Sequence, residues 1–174
     1  MSMPLYQFGN YRHEEQRAEM ERLAAGGICL FCPDHLSGEP THEPLLRTGH
    51  WTVIHNRYPY ADTRLHLLMV PDEHVSDLVD LSPEAREDFW TALAWIRDHY
   101  ELSFYGLGAR NGDSRFTGGT IGHLHVHVIV GDVDDPDHRP VRMKLSSRPA
   151  PGEPEPSAGG GVAGGVDPDQ LDAG

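Results

Sequence analysis

The sequence predicts an α+β fold, an antiparallel sheet with helices packed on one side, and three observations predict it. Residues 121–130 (IGHLHVHVIV) alternate for most of their length, the period of a half-buried strand. Residues 51–55 (WTVIH) and 65–70 (LHLLMV) are rich in strand formers and are separated by the turn-rich NRYPYADTR. After Ser82-Pro83-Glu84, the apolar residues Phe89, Leu93, Ile96 and Tyr100 recur at helical spacing. Together the elements give an α+β pattern, antiparallel strands with helices packed on one side.

Each element has a local reason. Residues 11–25 (YRHEEQRAEMERLAA) favour helix, with Met20, Leu23 and Ala24 as a thin apolar stripe and Gly26-Gly27 as its end. Ser82 caps the second helix and Pro83 suits its first position, so it runs to about Tyr100. Residues 102–109 (LSFYGLGA) form a third strand, ahead of the fourth at 121–130.

The 174 residues suggest one folded domain, residues 28–148, preceded by an N-terminal helical segment, 1–27, and followed by a tail, 149–174. The tail holds seven Gly, five Pro, five acids and no Lys or Arg. It cannot bury enough surface to offset its ordering entropy and is expected to be disordered; an acidic interaction tail is the functional alternative. The net charge is −13, of which −8 stays on residues 1–148. That balance disfavours nucleic-acid polymers, which are held mainly by Lys and Arg. Two cysteines are too few for a disulfide framework, and no apolar run approaches the roughly 18 residues of a membrane span. Residues 1–10 lack the basic region and apolar core of a secretion signal, so a soluble, cytoplasmic protein is expected.

The chemistry lies in the histidines. In a strand, His123, His125 and His127 would line one face about 7 Å apart, with Leu124, Val126 and Val128 on the other. Metal ligation fits this pattern, and so does nucleophilic or acid–base work near neutral pH. The plain alternative is a polar outer face. Cys29-Leu-Phe-Cys32 indicates a metal or a redox pair, or else two buried thiols; a tetrahedral zinc would need two histidines from His35, His42, His66, His74 and His123. Asn111-Gly-Asp and Thr117-Gly-Gly-Thr-Ile-Gly122 precede the histidines. There the backbone N–H groups and the Thr120 hydroxyl can hold phosphate oxygens, although a plain turn has the same composition.

Residues 123–129 read His-φ-His-φ-His-φ-φ, with φ apolar, and resemble the signature of the histidine triad (HIT) superfamily of nucleotidyl hydrolases and transferases. Asn56-x-x-Pro59, His66-Leu-Leu-Met-Val-Pro71-x-x-His74 and Asp77 to Pro83 resemble further family segments, over about residues 28–131. The resemblance implies a HIT-like fold with about five antiparallel strands, and a HIT domain at 28–148. It implies a structural zinc on Cys29, Cys32, His74 and His123, with His66 the competing third ligand. It assigns His125 as the nucleophile that forms a covalent nucleotidyl-imidazole on a nucleoside 5′-phosphate derivative. His127, Thr120 and the Gly118–Gly122 backbone would hold phosphate oxygens. Asn56, Asn111 and Gly119 would line the nucleotide site. The phosphate pocket would then contain hardly a Lys or Arg.

The implied substrates are AMP-type esters, amidates or dinucleoside polyphosphates, and a homodimer is implied as well. Two departures matter. Gly119 stands where the family commonly has Gln, a version that resembles certain diadenosine-polyphosphate phosphorylases. Val130-Gly131 replaces the usual Pro-Arg. The alternatives are a phosphorylase, a non-catalytic nucleotide-binding module, and a metalloenzyme with all three strand histidines on zinc.

Overall fold

The computed structural model describes residues 3–36 and 43–149. The tail beyond Pro149, and the possible ligand His42, lie outside the described residues. In chain order the elements are α1 (Glu14–Ala25), α2 (Pro33–Leu36), β1 (Leu46–Arg47), β2 (Trp51–His55), β3 (Thr63–Pro71), α3 (Pro83–His99), β4 (Gly106–Ala109), α4 (Ser114–Thr117) and β5 (Val126–Gly131). A 3-10 turn at Leu78–Asp80 precedes α3. Among the described residues, five strands form one antiparallel sheet in the order β1-β2-β3-β5-β4.

Helix α3 begins where the capping signal places it. The Ser82 hydroxyl accepts from the Ala85 N–H at 3.2 Å, and the Glu73 carboxylate accepts from the Ser82 N–H at 3.0 Å. Its apolar face (Ala85, Ala92, Leu93, Ile96) packs against Trp51, Val53, Leu67, Met69, Val126 and Val128. The expected one-sided packing describes α3 alone. Helices α1 and α2 cover the opposite face, where Met20, Leu23 and Leu36 meet Ile54, Leu68 and Val70. The N-terminal segment is stitched to the sheet. Gln7 donates its N–H to the Thr120 carbonyl at 2.9 Å. The Tyr6 hydroxyl donates to the Ile28 carbonyl at 2.8 Å and accepts from the Leu30 N–H at 2.8 Å.

Boundaries moved where local bonding outcompeted the ladder. Helix α1 starts at Glu14 rather than residue 11, because the Gln16 side chain caps the Arg12 N–H at 3.0 Å. The third strand starts at Gly106 rather than residue 102. There Glu101 is left-handed (φ 49°) and the Leu102 N–H still bonds back to Arg97 at 2.9 Å, closing α3. The fourth strand starts at Val126 rather than residue 121. Gly122 bonds to the Leu5 carbonyl at 2.8 Å and Leu124 to the Val75 carbonyl at 2.7 Å, so His123 and His125 precede the ladder. A side chain at 122 would collide with the Pro4 carbonyl, so only glycine allows this approach. Strand β1 was not foreseen; two residues carry no period.

Candidate active site and metal centre

The histidines sit on the face of the sheet that α1 covers. His127 pairs across the strands with Leu68, and His66 stands beside it on the same face. Just before the ladder, the chain stays extended enough to place the His125 ring 5.1 Å from the His127 ring. His125 Nδ1–H donates to the His123 carbonyl at 2.8 Å, which leaves Nε2 with its lone pair. Burial, the main influence, pushes His125 down to about 4, so the ring is neutral at pH 7. Phe31 packs edge-on against it with ring centroids 5.1 Å apart.

His66 Nε2 and His127 Nδ1 share a hydrogen bond of 2.8 Å. His66 is pushed down to about 4, by burial first and then by the Arg12 charge, with the nearby His125 and Arg110 acting in the same direction. His127 is pushed down further, again chiefly by burial. Its Nε2 lies 3.2 Å from Arg110 Nη1, and the Tyr60 ring stacks on it at 5.6 Å and 19°.

His125 and His127 line an open cavity. Met20, Leu30, Phe31, Leu68 and Ile121 give it an apolar lining next to His125. Asn56 and Thr120 line it as expected. The Asn56 side chain reaches His66 Nε2 at 3.1 Å and accepts from the Tyr58 N–H at 3.0 Å. Gly119 lies beneath this surface and accepts from the Asn10 amide at 2.9 Å. Asn111 is not brought to the cavity. Its side-chain oxygen Oδ1 accepts from the Leu78 N–H at 3.0 Å at the start of the 3-10 turn. The expectation of a pocket almost free of Lys and Arg is overturned, since Arg12, Arg57, Arg110, Arg142 and Lys144 all line it. Arg12 and the 142–144 stretch lie outside every strand and helix, so no period announced them.

Of the two competing histidines, His74 is the one placed with the cysteines. The ligand atoms of Cys29, Cys32, His74 and His123 all lie within 4.8 Å of one another. Cys29 Sγ is 3.5 Å from His123 Nδ1, and Cys32 Sγ is 3.2 Å from His74 Nδ1 and 3.8 Å from His123 Nδ1. Tetrahedral zinc holds its S and N ligands about 3.3–3.8 Å apart, so the donor set suits that ion. His123 Nε2–H donates to the Pro71 carbonyl at 2.9 Å, which leaves Nδ1 for a metal. His66 is committed to His127 instead. With His123 turned to the cysteines, the three strand histidines do not share one ion.

The HIT domain profile matches residues 38–134, more than half of the chain. This chain belongs to the HIT domain family. Two solved structures share its fold. A hypothetical protein from Leishmania major is 21% identical, covers 78% of this chain and 83% of its own, and has a TM-score of 0.51. A HIT family hydrolase from Clostridium thermocellum is 22% identical, covers 62% and 92%, and has a TM-score of 0.50. No match was found among curated proteins. Cys29, Cys32, Arg12, Arg142 and Lys144 all fall outside the matched HIT domain, so part of this HIT protein's site comes from its flanking segments.

Proposed function

We propose that this HIT protein cleaves nucleoside 5′-phosphate derivatives, namely AMP-type esters, amidates or dinucleoside polyphosphates, by nucleotidyl transfer through His125. The observation that carries this reading is the His125 ring: held toward its neutral form by burial, oriented by the His123 carbonyl at 2.8 Å, and part of the cavity lining. Nε2 attacks the α-phosphorus, the phosphorus–nitrogen bond forms, and the leaving group departs with the electron pair of its bond to phosphorus. Water or another acceptor then attacks the same phosphorus and frees the imidazole. Two easier displacements replace one hard one. His127, Thr120 and the backbone N–H groups near Gly118–Gly122 would bear on the phosphate oxygens. Asn56 and the apolar lining beside Phe31 would receive the nucleoside. Zinc on Cys29, Cys32, His74 and His123 would serve as a structural ion, with all four positions taken by protein. It would tie the Cys29–Cys32 segment to the residue that orients His125.

The test is labelling. With a substrate radiolabelled at the α-phosphate and a denaturing quench in base, where a phosphorus–nitrogen bond survives, the wild-type chain should carry label on His125. His125→Ala should lose the label and at least about 10³-fold in kcat. Turnover in His125→Ala near the wild-type rate would overturn the proposal. Product formation without added phosphate separates a hydrolase from a phosphorylase. Elemental analysis should find zinc in the wild-type chain and a loss of it in Cys32→Ser; an unchanged zinc content would remove the ligand assignment.

A further inference from the structure

The cavity carries more positive charge than one phosphate needs. Arg12, Arg110, Arg142 and Lys144 line it together with His125 and His127. Among the described residues none of the four pairs with a carboxylate; the described ion pairs engage Arg17, Arg57, Arg64, Arg97, Arg115 and Arg139. Glu19, the acid in the lining, is held by Arg57 at 2.8 Å. Four cations without acid partners thus gather in one cavity of a chain whose net charge is −13.

Three of the four are held in place by neutral partners. The Arg12 guanidinium lies over the Tyr60 ring, 4.6 Å from its centroid. Arg110 donates to the Tyr60 hydroxyl at 2.9 Å and to the Lys144 carbonyl at 2.8 Å. Lys144 Nζ donates to Asn10 Oδ1 at 2.8 Å. The segment that brings Arg142 and Lys144 is anchored on the Gly-rich turn by Ser147. Its hydroxyl donates to the Arg115 carbonyl at 2.6 Å and accepts from the Gly118 N–H at 3.1 Å. Gly118 is left-handed (φ 78°), and a side chain there would press on Lys144.

Position decides what the cations meet. The apolar lining lies by His125 and suits the nucleoside. Arg110 stands against His127, with Nη1 3.2 Å from its Nε2, and donates to the hydroxyl of Tyr60, whose ring the Arg12 guanidinium covers. We infer that Arg12, Arg110, Arg142 and Lys144 form a leaving-group subsite for a chain of phosphates. It follows that the preferred substrates are phosphoric anhydrides with a multiply charged leaving group, such as dinucleoside polyphosphates, over amidates or esters of neutral amines and alcohols. The inference deepens the nucleotidyl transfer proposed above and rests on it.

The chemistry is consistent. When Nε2 bonds to the α-phosphorus, the bridging P–O bond breaks and its electron pair stays on the departing phosphate oxygen. That oxygen needs positive charge rather than a proton, and guanidinium and ammonium groups supply it. Three of the four cations lie outside the matched domain, so the preference belongs to this chain's flanking segments.

The test compares two substrates on the full chain, diadenosine tetraphosphate and adenosine 5′-phosphoramidate. The ratio of their kcat/KM values should favour the tetraphosphate and should fall about tenfold or more in Arg142→Gln/Lys144→Gln. Raising NaCl from about 50 to about 300 mM should erode the wild-type ratio more than the variant's. Titration with inorganic tripolyphosphate reads the subsite without turnover, and its Kd should weaken at least about tenfold in the double variant. Both side chains are exposed, so the variant should fold, and Arg142→Lys/Lys144→Arg should restore tripolyphosphate binding. A wild-type preference for the amidate, or tripolyphosphate binding within about twofold of wild type in the double variant, would overturn the subsite. Failure to label His125 from either substrate would overturn the nucleotidyl transfer instead, so the two failures are distinguishable.

Discussion

Strands β3 and β5 present opposite characters on their two faces. Toward α3 stand Leu67, Met69, Val126 and Val128, all buried and all apolar. One residue along, toward α1, stand His66, Leu68 and His127, with His125 just ahead of the ladder. Among the described residues, most buried polar side chains lie on or against this second face: Gln7, Gln16, His66, His123, His125 and His127. Burying such groups costs free energy unless each finds a partner, and the dry face offsets that cost. A slip of one residue would exchange the two faces, so the same alternation that makes the core also aims the chemistry.

The largest expected effect tests whether the faces are separable. Trp51 is fully buried on the α3 side, donates its indole N–H to the Ala85 carbonyl at 2.7 Å, and packs edge-on to Phe89 at 5.3 Å. Trp51→Ala should cost about 3–5 kcal/mol of stability by denaturant titration, because a large cavity opens and the Ala85 carbonyl loses its donor. Below its unfolding transition, the variant should keep a kcat within a few-fold of wild type. A kcat that falls as far as in His125→Ala would show that the dry face also tunes the chemistry.

The next effect sharpens the cost of the polar face. His66 is 4% exposed and pushed down to about 4, below the ordinary value of about 6.5. The unfolded chain therefore takes up this proton first as the pH falls. The stability from keeping the ring neutral is full above about pH 6.5 and is lost between about 6.5 and 4, by as much as about 3 kcal/mol. His66→Asn should flatten that part of the curve of unfolding free energy against pH. An unchanged acid slope would mean that other groups carry it.

Much of this arrangement was legible in the sequence because it repeats with a period. The alternation at 123–129 and the helical spacing from Phe89 to Tyr100 announced the last strand, α3 and the shared face of His125 and His127. Residue type alone left His66 and His74 as competing ligands, and only the resemblance favoured His74. The end of β3 at Pro71 separates them, placing His66 inside the sheet and His74 beyond it near Cys32. The arginines were invisible for a different reason. Arg12 is set by a cap and a ring contact, and Arg142 by a segment anchored through Ser147, and such contacts leave no pattern along the chain. The sequence therefore pointed to the buried histidines and missed the charges around them.

The smallest effect tests that anchor. Ser147 bonds three partners at once: the Arg115 carbonyl at 2.6 Å, the Gly118 N–H at 3.1 Å and the Asn10 amide at 3.4 Å. Ser147→Ala removes these side-chain bonds but keeps the backbone bond from the Ser147 N–H to the Phe116 carbonyl at 2.8 Å. The segment should loosen rather than detach, at a cost of about 1 kcal/mol. If Arg142 and Lys144 serve the leaving group, that loosening should appear as a rise of about fivefold in KM for the tetraphosphate, with kcat held within about twofold. An equal fall in kcat for the phosphoramidate would place Ser147 among the supports of His125 itself. The polar face would then be one cooperative unit, rather than a nucleophile with a separable charged rim.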